Sequence, residues 1–100
     1  MKKQMYALYD TTVKTFMNTI HFINDGEAVR WLTTVVNDKE KTNVSLYPVQ
    51  FILYRLGTFD DQTGEFNNEQ KEVMQAIAVR QESPQYTLEE LFKEKQQLQQ

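Results

Sequence analysis

One hundred residues make one small domain, and 40% apolar with 25% charged residues supports a compact core but not a large one. The absence of cysteine excludes a disulfide framework, a thiolate nucleophile and a cysteine-held metal. The formal charge of −3 is unevenly spread, with seven Lys/Arg against five Asp/Glu in residues 1–58 and four against nine in residues 59–100. A basic front that can meet phosphate is thus joined to an acidic rear.

The chain opens Met1-Lys2-Lys3-Gln4 with no apolar stretch of signal-peptide length behind it, and no run approaches a membrane span. A cytoplasmic location is the default expectation. Met5-Tyr6-Ala7-Leu8-Tyr9 reads as a first strand, ended by the turn formers Asp10-Thr11-Thr12. Lys14 to Ile23 follows as a second, antiparallel strand. Phe16, Ile20 and Phe22 lie on one face, Met17, Thr19, His21 and Ile23 on the other.

Asn24 then has the chemistry of a helix cap, with Glu27 three residues on to complete a capping box. Ala28, Trp31, Leu32, Val35 and Val36 recur at helical spacing up to Asn37-Asp38. Lys39 to Ser45 reads as a polar loop. Tyr47-Pro48 restarts the chain extended, because proline disfavours helix at the residue before it. Val49 to Phe59 is the longest expected strand, with Phe51, Leu53 and Arg55 on one face and Ile52, Tyr54 and Leu56 on the other. Two apolar faces mark it as central, one face packing on the helix and the other on a second helix, a partner chain or a ligand.

Asp60-Asp61-Gln62-Thr63-Gly64 supplies a hairpin turn, with a glycine able to take positive φ and Phe59 and Phe66 paired across it. Asn67 or Asn68 is expected to cap a further helix carrying Val73, Met74, Ile77 and Ala78, broken at Ser83-Pro84. Thr87 and Glu90 form a second capping box ahead of a stripe of Leu88, Leu91, Phe92, Lys95 and Leu98. The expected fold is α+β: a single domain over residues 1–82 and a helical tail over 83–100. Its core is a small antiparallel sheet of about four strands in the order β-β-α-β-β, with one packing helix and one or two C-terminal helices.

Little in this chain points to catalysis. Asp60 and Asp61 are adjacent carboxylates, but adjacent turn residues rarely converge on one ion, and the turn explains them. His21 is the sole histidine and has no triad partners in view; a place at a sheet margin accounts for it. Gly26, Gly57 and Gly64 are scattered, which excludes a phosphate loop. No enzyme activity, metal or cofactor is expected. The aromatics on expected strands, Tyr6, Tyr9, Phe16, Phe51 and Tyr54, are either core or a platform for unpaired bases. In the second case Lys2, Lys3, Lys14, Arg30 and Arg55 are the nearby cations. The nucleic-acid set is then Lys3, Tyr6, Tyr9, Lys14, Arg30, Tyr54 and Arg55.

Tyr6 to Asp10, Phe16, the helix with Ala28 and Arg30 ending at Asn37-Asp38, Tyr47-Pro48 with Phe51, Leu53 and Tyr54, Gly57, and Phe59-Asp60-Asp61-Gln62-Thr63-Gly64-Glu65-Phe66 form an ordered set. Together, over about residues 5–78, they resemble the small non-structural protein of gokushoviruses, tailless icosahedral phages with circular single-stranded DNA genomes. This chain departs from that family's pattern at Met17-Asn18-Thr19, where a proline is usual, and at Val49-Gln50, where acidic residues are.

The resemblance implies an early, non-capsid protein acting on phage single-stranded DNA in the host cytoplasm. In that role it binds DNA or switches replication toward single-strand synthesis and packaging. A homo-oligomer with no membrane association is expected. A rival expectation is an adaptor that binds phage or host replication proteins, which the acidic pI of about 5.1 favours. A third is a scaffold or assembly protein.

Overall fold

The computed structural model describes residues 1–81. Its frame is an antiparallel sheet built on two long strands, β1 (Lys2–Asp10) and β4 (Phe51–Asp60), paired along their whole lengths. Strand β5 (Phe66–Gln75) pairs with the far side of β4. On the far side of β1 lie two short strands, β2 (Thr15–Phe16) against Tyr9 and Asp10, and β3 (Ile20–Phe22) against Gln4 to Tyr6. The lateral order is β2-β1-β4-β5, with β3 beside β2. The fold is α+β with a small antiparallel sheet.

Helix α1 (Asp25–Val36) begins where Asn24 Oδ1 accepts the Glu27 amide at 2.9 Å. Its buried stripe, Ala28, Leu32 and Val36, packs on Tyr6 and Leu8 of β1 and on Phe51 and Leu53 of β4. Phe22, Val44 and Ala76 complete the core. Helix and core share one face of the sheet; among the described residues the other face is uncovered.

Four details differ from the sequence expectation. The second strand is split in two, because Met17 to Thr19 leave the ladder after the Met17 amide donates to the Leu8 carbonyl. Within the expected polar loop lies a short helix, α2 (Asn43–Leu46), closed by a reciprocal capping box between Thr42 and Ser45. A 3-10 turn over Pro48–Gln50 precedes β4.

The largest correction concerns Asn67 onward. These residues form the ten-residue strand β5 and not a helix; Ile77 and Ala78 fall in a 3-10 turn over Ala76–Val79. The helix expected at Thr87 to Leu98 and the boundary at Ser83-Pro84 lie outside the described residues.

The hairpin forms as read. Phe59 and Phe66 are register partners, and the Gly64 amide donates to the Asp60 carbonyl at 2.8 Å with Gly64 at φ 77°.

Candidate nucleic-acid interface

The uncovered face is set by strand alternation. Tyr6 and Leu8 turn toward α1, so Tyr9 turns away; Leu53 turns toward α1, so Tyr54 turns away. The β1–β2 turn then folds back so that Phe16 pairs with Tyr9. Asp10 Oδ1 stabilises this turn by accepting the Thr12 amide, and Lys14 is held at φ 57°.

The result is a group of three rings on the open face. Tyr9 and Phe16 centroids are 4.8 Å apart, Phe16 and Tyr54 5.6 Å, and Tyr9 and Tyr54 6.1 Å, tilted or edge-to-face. These are favourable aromatic geometries. Phe16 remains 36% exposed, and both tyrosines are half-buried.

Further along the same face, Met5, Thr19, Leu56, Phe59 and Phe66 line an apolar depression of about 310 Å³. Phe66 is 46% exposed there. Lys14 stands exposed two residues before Phe16. Lys3 faces Phe59 in register, and its Nζ lies 3.8 Å from Asp61. Glu72 is the register partner of Tyr54, an acidic neighbour at the edge of the ring group.

The structure thus brings together Tyr9 and Tyr54 of the expected set, with Lys14 near them and Lys3 at the hairpin end of the face. It separates the other three. Tyr6 is fully buried on the helix side, its hydroxyl donating to Asp25 at 2.6 Å, so its ring is not a stacking surface. Arg55 is on that same side, 3.5 Å from Asp25, and not beside Tyr9 and Tyr54. Arg30 is exposed on α1, an element that packs on the covered face.

Phe16 is the ring that the expected set omitted. A register drawn through the turn after Asp10 would have put it opposite Tyr9.

Asp25 is a hub on the covered side. It accepts from Tyr6 and meets Arg55 and Lys71 at 3.5 Å each. Burial works to raise its pKa, but the Tyr6 hydrogen bond and the two cations outweigh that and hold the carboxyl below its ordinary value. The Tyr6 hydroxyl is pushed well above its ordinary value, by burial first and by Asp25 second.

At the hairpin tip, Asp60 is lowered chiefly by the Gln62 amide it accepts. Asp61 is lowered chiefly by the N-terminal ammonium, 2.6 Å away. Both carboxylates are thus used by the turn and its neighbours. Among the described residues no three His, Asp or Glu side chains converge as metal ligands, and no helix is long and apolar enough to cross a membrane.

Residues 3–79 match the model of a family described as Phage ORF5 protein. The chain belongs to that family. No curated protein and no solved structure matches it. The Phage ORF5 match runs from β1 through the Ala76–Val79 turn, so it takes in both the aromatic group and the Asp25 hub. Residues 80–100 lie beyond it.

Proposed function

We propose that this phage protein is a non-enzymatic binder of single-stranded DNA, acting on the phage genome during replication or the switch to single-strand synthesis and packaging. The ordered motifs shared with the gokushovirus protein support placing it in such a phage, working inside the host cell. The observation that carries the reading is the Tyr9, Phe16 and Tyr54 group on the open sheet face. Exposed rings accept any base by its π-face, each stacked base being worth about 1–3 kcal/mol.

In this reading Lys14, exposed two residues before Phe16, meets the phosphate beside a base on that ring. Lys3 can do the same at the other end by exchanging Asp61 for a phosphate. Arg55 takes no part in this version, since Asp25 holds it on the other side. Two lysines give modest affinity per copy, which a dimer or higher oligomer multiplies along one strand.

Fluorescence anisotropy of a labelled oligonucleotide at low salt tests the reading. Saturable binding that weakens as salt rises supports it, since displaced counterions drive the association. No binding at low salt removes it.

One observation favours a second reading on the same face. The Met5, Leu56, Phe59 and Phe66 depression is apolar, and Glu72 adjoins the rings; this suits an apolar protein segment better than a phosphate backbone. A pull-down with host replication proteins that is abolished by Phe66→Ser, together with no oligonucleotide binding, identifies an adaptor.

A further inference from the structure

Strand β5 is the outer strand of the sheet: β4 pairs with one side of it, and among the described residues no strand pairs with the other. It is ten residues long and exposed over its first seven. A long edge of this kind presents a row of amides and carbonyls that can template another strand. Which groups point outward follows from the hairpin. The Asp60 amide donates to the Glu65 carbonyl, so Glu65 turns its backbone toward β4. By alternation Phe66, Asn68, Gln70 and Glu72 turn theirs away. The side chains keep step, with Glu72 beside Tyr54 on the open face and Lys71 beside Arg55 on the covered one.

We propose that β5 pairs with β5 of a second copy, antiparallel about a two-fold axis at Gln70. Gln70 then exchanges both backbone bonds with its own copy, and Asn68 exchanges both with Glu72 of the partner subunit. Glu69 lies directly opposite Lys71 of the partner subunit, and the axis makes that contact twice.

Charge selects this register. Moving the axis to Glu69 or to Lys71 keeps the outward groups in phase but sets glutamate against glutamate or lysine against lysine. Unlike charges directly opposite each other stabilise an antiparallel pair and like charges destabilise it. Glu72, the remaining charge on the strand, faces a neutral asparagine, while Asp25 and Arg55 near Lys71 offset each other. The pairing ends at the Val73 bulge, which breaks the ladder. Because the axis is normal to the sheet, both copies present Tyr9, Phe16 and Tyr54 on the same side.

Sedimentation of the full chain tests the proposal. The wild type should form a dimer of twice its 11.9 kDa. Glu69→Lys should raise the dimer dissociation constant by about tenfold or more, since it sets lysine against lysine twice. Adding Lys71→Glu exchanges the two charges and should restore the dimer. A monomeric wild type, or a dimer indifferent to Glu69→Lys, overturns the proposal.

Because the chain has no cysteine, Gln70→Cys gives a second measure that leaves these charges intact. Across the axis the two Cα atoms lie about 5.5 Å apart, within disulfide reach. Diamide should therefore link two copies through position 70. Asn68→Cys, on the same face but about 14 Å from its own copy, should stay unlinked. Equal linking at both positions, or none at 70, contradicts the register. Neither measurement involves an oligonucleotide, so failure here is separate from failure of the DNA reading.

Discussion

Replacing Asp25 by asparagine probes how α1 is seated on the sheet. Asp25 is the first residue of the helix, where a negative charge is favoured by about 0.3–1 kcal/mol. Its strongest contact is the 2.6 Å bond from the buried Tyr6 hydroxyl, a hydrogen bond to a charged group worth about 1.5–3 kcal/mol. The two cations add little. Lys71 is 57% exposed and Arg55 25%, with Asp25 itself 32% exposed, and pairs in such settings contribute about 0–1 kcal/mol.

Asparagine keeps an acceptor but loses the charge, so the expected cost is about 1–2 kcal/mol at pH 7. Tyr6→Phe removes the same bond from the other side. The double variant should therefore cost less than the two singles together, by about 1 kcal/mol. The pH dependence has a definite sign. Asp25 has a folded pKa below its unfolded value, so its stabilisation is complete above about pH 3.9 and fades as pH falls through the lower folded value.

Urea unfolding followed by circular dichroism should separate wild type from Asp25→Asn at pH 7 and bring them together near pH 2. Equal midpoints at pH 7, or a gap that persists in acid, would refute the hub as the clamp on α1.

Other consequences follow from single positions. Gly57→Ala should unfold the domain or lower its Tm by on the order of 10–20 °C, because the added Cβ would lie 2.1 Å from the Asn67 carbonyl oxygen. Gly64→Ala meets nothing within 4 Å and costs only the strain of φ 77°, about 1–2 kcal/mol. Lys14→Gly, at φ 57°, should raise the Tm slightly, since relieved strain of about 1–2 kcal/mol exceeds the added unfolded-state entropy. Alkaline titration should destabilise the wild type from about pH 10 upward, since the Tyr6 pKa is raised in the fold. Tyr6→Phe should remove that part of the loss.

Much of the frame was legible because its signals are local. The hairpin was carried by Asp60 to Gly64 with matching phenylalanines, and α1 by the Asn24 cap and its apolar stripe. Strand β5 was not. As an outer strand it is exposed along most of its length, so no alternation of apolar and polar residues marks it. Val73 and Met74 are consecutive apolar residues that the strand accommodates with a bulge at Val73, and with Ile77 and Ala78 they mimic a helical face.

The site was half legible for a related reason. Central strands are apolar on both faces, so parity groups Tyr9 apart from Tyr6 but does not say which side α1 will cover. Grouping Arg55 with Tyr54 ran against the strand's own alternation, which puts them on opposite faces; only the Asp25 contact that holds Arg55, from another element, is one that no spacing reveals. The α2 capping box, Thr42 with Ser45, lay inside a stretch too polar to suggest a helix.

Binding of a labelled single-stranded oligonucleotide by the wild type and by Tyr54→Ala decides whether the open face meets DNA. Tyr54 is half-buried on the open face, and circular dichroism can verify that the variant stays folded. Loss of one stacked base should weaken binding by about 5- to 150-fold, which is 1–3 kcal/mol. The logarithm of affinity should fall with that of salt at a slope of about −0.7 per phosphate met. An affinity unchanged in Tyr54→Ala, or no binding by the wild type at low salt, would contradict the assignment of this face to DNA.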